Sequence, residues 1–64
     1  MNNYFRDEKG RMIGFVQQNG NQTMYFDDKG RLAARIHDGL TFDDKGSIRG
    51  NGDQGLRLLG EKND

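Results

Sequence analysis

The chain contains no cysteine, a single histidine, no net charge and no long apolar run. Without cysteine no disulfide can staple the fold, and one histidine leaves a structural zinc site short of ligands. The redox compartment stays open, because a disulfide-free fold can form anywhere. Ten Lys and Arg balance ten Asp and Glu, so attraction to a polyanion is not built into the chain as a whole. The same balance gives little colloidal repulsion, which is permissive of self-association. No stretch approaches membrane-spanning length, and the start, Met1-Asn2-Asn3-Tyr4-Phe5-Arg6-Asp7, lacks a basic region followed by an apolar one. A soluble, cytoplasmic protein with no membrane partner is the expectation.

Apolar residues are also scarce, at 31% of 64, and mean hydropathy is −1.05. A chain this short buries only about 60% of the surface its unfolded form exposes. Disorder competes with folding at such a composition. Against it, Tyr4, Phe5, Phe15, Tyr25, Phe26 and Phe42 are regularly placed. With disulfides and a zinc site set aside, partner chains remain as the usual support for a small core.

What the chain does have is one turn written three times: Asp7-Glu8-Lys9-Gly10, Asp27-Asp28-Lys29-Gly30 and Asp43-Asp44-Lys45-Gly46. Each supplies an Asp that hydrogen-bonds forward, two residues suited to a type I turn, and a Gly free to take positive φ. In a hairpin this makes a type I turn closed by a Gly bulge. Two positions after each Gly stand Met12, Leu32 and Ile48, and four after it stand Gly14, Ala34 and Gly50. Strict alternation puts Tyr4, Met12, Gly14, Val16, Met24, Phe26, Leu32, Ala34, Ile36, Leu40, Phe42, Ile48 and Gly50 on one dry face. On that basis Tyr4, Met24 and Leu40 should meet Gly14, Ala34 and Gly50 across the hairpins. The other face carries Asn3, Arg11, Tyr25, Arg31, Ala33, Arg35, Thr41, Ser47 and Arg49, with Phe5, Ile13 and Phe15 as an apolar patch.

The connectors hold Asn19-Gly20 and Asp38-Gly39, both hairpin signals. The expected fold is all-β: an antiparallel meander of six to seven short strands built from three repeated hairpins and packed as an oligomer. Residues 1–59 form one domain in this reading, Leu56–Leu59 its seventh strand, and residues 60–64 a flexible tail. No helix is expected, since every helical spacing of apolar residues is interrupted by a glycine.

Phe26-Asp27-Asp28-Lys29-Gly30-Arg31-Leu32 resembles the Tyr-Asp-x-x-Gly-Arg-Leu element of bacterial YD repeats, found in large shell-forming Rhs-type and teneurin-like proteins. Phe42-Asp43-Asp44-Lys45-Gly46-Ser47-Ile48 is a looser copy, and the first repeat has Arg6-Asp7 where the family has an aromatic before the Asp. Similar hairpin repeats recur in small bacterial and phage proteins. The resemblance implies a β scaffold without catalytic residues, in some cases with carbohydrate binding. Three copies cannot enclose anything, so a shell is not implied.

Catalytic and metal chemistries find little support. The turn acids lack the spacing and the distal Glu of a calcium loop. Paired carboxylates for glycoside hydrolysis need a cleft and a buried acid, whereas these sit at hairpin tips. His37 beside Asp38 has no Cys partner, and the only Ser, Ser47, lies in another hairpin. Gly50, Gly52 and Gly55 do not follow a phosphate-loop pattern. The reading is therefore a non-enzymatic module without cofactor or metal, acting in self-assembly or protein–protein interaction. A homodimer is favoured, with Phe5, Ile13 and Phe15 as contacts and Leu58 and Leu59 as a second surface. The alternative is a carbohydrate or single-stranded nucleic-acid module using Arg11, Tyr25, Arg31, Arg35 and Arg49.

Overall fold

The computed structural model describes residues 2–62. Six strands follow one another as β1 (Asn2–Arg6), β2 (Met12–Asn19), β3 (Gln22–Asp27), β4 (Leu32–His37), β5 (Leu40–Asp43) and β6 (Ile48–Asn51). They form one antiparallel sheet in sequence order, as short connections dictate. A single helix, α1 (Gly55–Lys62), then lies against β3 and β4. The expected meander is present, but Leu56–Leu59 is helix instead of a seventh strand, and the helix runs on through Gly60, Glu61 and Lys62. The rest of the expected tail, Asn63 and Asp64, lies outside the described residues.

The three repeated turns are built alike. Gly10, Gly30 and Gly46 have φ of +84°, +81° and +83°, and their N–H groups donate to the carbonyls of Asp7, Asp27 and Asp43 at 2.9, 3.1 and 3.0 Å. Each Asp Oδ1 accepts two further backbone N–H groups, at the second and fourth residues on, over 2.8–3.0 Å. One carboxylate oxygen thus holds the loop from inside. In the connectors, Asp38 and Gly39 both take positive φ, +53° and +75°, which is the type I′ geometry of two-residue hairpins.

Every Asp-turn hairpin contains a second irregularity. The register slips between Phe5 and Arg6, between Tyr25 and Phe26, and between Thr41 and Phe42, leaving Ile13, Ala33 and Arg49 as extra residues on the returning strands. A bulge of this kind breaks strict alternation. Gly14, Ala34 and Gly50 therefore pair with Phe5, Tyr25 and Thr41, not with Tyr4, Met24 and Leu40. Both faces become mixtures of the two sets expected from alternation alone. The face under α1 carries Phe5, Gly14, Val16, Tyr25, Asp27, Ala34, Ile36 and Thr41. The opposite face carries Tyr4, Met12, Phe15, Met24, Phe26, Leu32, Arg35, Phe42 and Ile48.

Asp27 differs from the other turn acids in being buried, 1% exposed. Burial pushes its carboxyl pKa up. Bonds from the Arg31 and Lys29 N–H groups and the Arg31 guanidinium, whose Nε lies 2.8 Å from Oδ2, outweigh this and hold it below the ordinary 3.8. A depressed carboxyl contributes stability above its unfolded pKa and loses it as pH falls through the folded one. Asp27→Ala is expected to lower stability by about 2–3 kcal/mol, because it removes the charged acceptor of the Lys29 and Arg31 N–H groups and of the Arg31 guanidinium. The loss of stability on acidification below about pH 4 should be shallower in that variant. Urea unfolding across an acid series measures both.

Candidate functional site

Two surfaces compete for the role of site: the sheet face under the helix and the face opposite it. The first is closed. The repeated small residues form a floor on which the helix sits close. A Cβ on Gly14 would come within 2.8 Å of both Leu59 methyls, a Cβ on Gly55 would enter the Tyr25 ring, and Gly50 faces Gln54 and Arg57. Leu58 is buried with Tyr25 and Ala34, and Phe5, Val16 and Ile36 pack against that cluster; Leu59 and Ala33 are buried as well. Phe5 stacks on Tyr25 with ring centroids 5.9 Å apart. An eight-residue helix is marginal alone, so this docking holds it.

Polar groups anchor its entry. Thr41, fully buried, donates its hydroxyl to the Gly52 carbonyl at 2.6 Å and accepts the Gln54 N–H at 2.9 Å. Asp53 accepts the Gly55 N–H at 2.9 Å and the Tyr25 hydroxyl at 3.0 Å. Burial, then the hydrogen bond and charge of Asp53, push the Tyr25 pKa up from 10.0 to about 12. At the other end Glu61 pairs with Arg49 at 3.0 Å and Lys62 with Asp44 at 2.7 Å. A recess of about 200 Å³ lies between these pairs and Ala33. Its charges are already matched to one another.

The sequence-derived contact residues separate accordingly. Leu58 and Leu59 serve the protein's own core and offer no surface to a partner. Phe5 is under the helix with them, and Ile13 is a half-buried bulge residue. Phe15 is the one that lies on the open face. The proposed polymer-binding set is dispersed too. Tyr25 is buried beneath Gly55, so it cannot stack on a base or sugar. Arg11 and Arg31 are bound to Asp7 and Asp27 of their own turns, and Arg49 to Glu61 and Asp43 on the helix side. Arg35 alone reaches the open face, 4.6 Å above the Phe42 ring.

The open face is the remaining candidate, and most of its residues were legible only as core. Tyr4, Phe15, Phe26 and Leu32 pair in one row across four strands, with ring centroids 5.6 Å apart for Tyr4 and Phe15 and 5.1 Å for Phe15 and Phe26. Met24, Phe42 and Ile48 continue it in the next row, with Met12 and Leu40 at its margins. Tyr4 is 57% exposed and Ile48 60%. Among the described residues, no strand position of this face carries a carboxylate, and no third element covers it. No group of three or more metal-ligating side chains occurs among the described residues, and no helix is long and apolar enough to cross a membrane. No protein-family model, no curated protein and no solved structure matches the chain.

Two outcomes test the closed face. Gly55→Ala drives a methyl into the Tyr25 ring and should cost about 1–3 kcal/mol. Gly60→Ala, in the same helix but facing open space, should instead stabilise by about 0.5–1 kcal/mol. Thermal melts of the two variants must move in opposite directions. The raised Tyr25 pKa also implies that its stabilising share is complete below pH 10 and is lost between pH 10 and about 12. Tyrosinate absorbance in a Tyr4→Phe variant, which reports Tyr25 alone, should rise near pH 12.

Proposed function

We propose that this protein is a non-enzymatic assembly module, whose open sheet face is covered by another protein surface, in the first place a second copy of the chain. The observation that carries this reading is the row of Tyr4, Phe15, Phe26 and Leu32 with Met24, Phe42 and Ile48 beside it, in which Tyr4 and Ile48 are exposed, the others are half-buried, and no further element lies over them among the described residues. Contiguous apolar surface on that scale marks an interaction site. The core under α1 is correspondingly thin: among the described residues, five apolar side chains are buried, two of them alanines. A single core in a chain of this size rarely supplies more than about 3–5 kcal/mol. A partner that completes the core must be present whenever the chain is, and a second copy meets that condition by itself. Balanced charge favours the same partner. The turn's likeness to YD repeats, where hairpins serve as scaffold, is in keeping with it.

Light scattering on the purified protein tests the reading. The expected mass is a multiple of 7.3 kDa at micromolar concentration, and a monomer that keeps its near-ultraviolet dichroism there removes the self-assembly proposal.

A further inference from the structure

Resting on that reading, we infer that the second copy packs face to face, open sheet on open sheet, in a closed twofold pair. A small sheet protein offers four routes to self-association, and the structure treats them unequally. The helix face is filled by α1. The β6 edge is plugged: Arg57 Nη2 donates to the Arg49 carbonyl at 3.0 Å, and Gln54 Nε2 to the Asn51 carbonyl at 3.2 Å. Side chains from the helix side therefore satisfy backbone acceptors that an added strand would need. The β1 edge carries no such cap among the bonds described. Pairing there would join backbones, however, and leave the apolar face as bare as before.

Only the open face removes Phe15, Phe26, Leu32 and Phe42 from water. Its size is sufficient. A body with extents of 33 × 25 × 17 Å projects roughly 650–800 Å² on its broad side, close to the ~800 Å² each partner contributes to an interface of standard size. Its charge is suitable as well, since no strand carboxylate lies on it and the Arg35 guanidinium is already laid over the Phe42 ring. Two sheets packed this way stand about 10 Å apart and interdigitate their side chains. Because each copy uses the same patch, the contact is self-complementary and closes at two.

Three substitutions at side chains already exposed in the protomer, so that folding is spared, decide the matter: Tyr4→Lys, Ile48→Lys and Leu56→Lys. Leu56 is 55% exposed and lies on α1. Sedimentation equilibrium should give two chains for the parent protein. For Tyr4→Lys and Ile48→Lys it should give a dissociation constant raised about 10- to 100-fold, with far-ultraviolet dichroism retained, and for Leu56→Lys no change. Ile48 stands in β6, at the opposite side of the sheet from β1, so loss of association in Ile48→Lys separates face packing from β1 pairing. A dimer unaffected by Ile48→Lys, a dimer broken by Leu56→Lys, or a parent assembly larger than two overturns the face-to-face pair while leaving self-assembly standing. A monomeric parent removes both.

Discussion

One inserted residue per hairpin governs which side chains this protein buries. A turn closed by Asp and Gly with no further irregularity would set Tyr4, Met24 and Leu40 against Gly14, Ala34 and Gly50. The extra residues Ile13, Ala33 and Arg49 advance the register by one, and Phe5, Tyr25 and Thr41 take those places. Those three side chains are the ones the helix needs: a ring to stack, a ring to sit on and a hydroxyl to tie its entry loop. The small residues beside them keep the backbone low, so that Leu58 and Leu59 reach the sheet. Repeating the device three times places Gly14, Ala34 and Gly50 on the side of the sheet where the helix lies against β3 and β4.

How much of this the sequence discloses depends on the range of the interaction involved. The turns were legible because their chemistry is local: an Asp oxygen, two N–H groups and a Gly with positive φ all fall within five residues. Strand positions followed from the turns. The bulges were not legible, because nothing in Met12-Ile13-Gly14 distinguishes a bulged strand from a regular one without its partner. Assigning faces by alternation therefore crossed the true division, and Tyr25 and Phe5 were placed on the wrong side. The helix is hard to read from sequence because Gly55 and Gly60 interrupt its apolar spacing. Gly55, Leu58, Leu59 and Lys62 nevertheless follow the spacing of a helical stripe, and Arg57 stands four residues before Glu61. Adjacent leucines carried the same signal, since a strand would have sent Leu58 and Leu59 to opposite faces.

The candidate site inherits this division. Four of the five residues proposed for polymer contact are taken up within the chain, three as partners of its own carboxylates and one as the buried Tyr25. Phe5, Leu58 and Leu59 are likewise spent on the core between helix and sheet. What no other element covers is a row of rings and aliphatic chains that, Phe15 apart, alternation alone assigned to an interior. That assignment recognised their apolar chemistry, but the helix that closes the core lies on the other side of the sheet.

The charge distribution follows from the same turns. Each Asp must aim Oδ1 back at the N–H groups of its own loop, and the regular β2–β3 and β4–β5 ladders pair Asp27 with Gly14 and Asp43 with Ala34, residues of the helix side. Arg31 and Arg49 follow their carboxylates there, and Glu61 and Lys62 complete the set from α1. Surface ion pairs of this kind contribute little individually, but collecting them on one side leaves the other with few charges to desolvate. An apolar face free of carboxylates loses less on being covered than one with acids set among its rings. The turn that shapes the hairpins thus also keeps acids off the face they leave open.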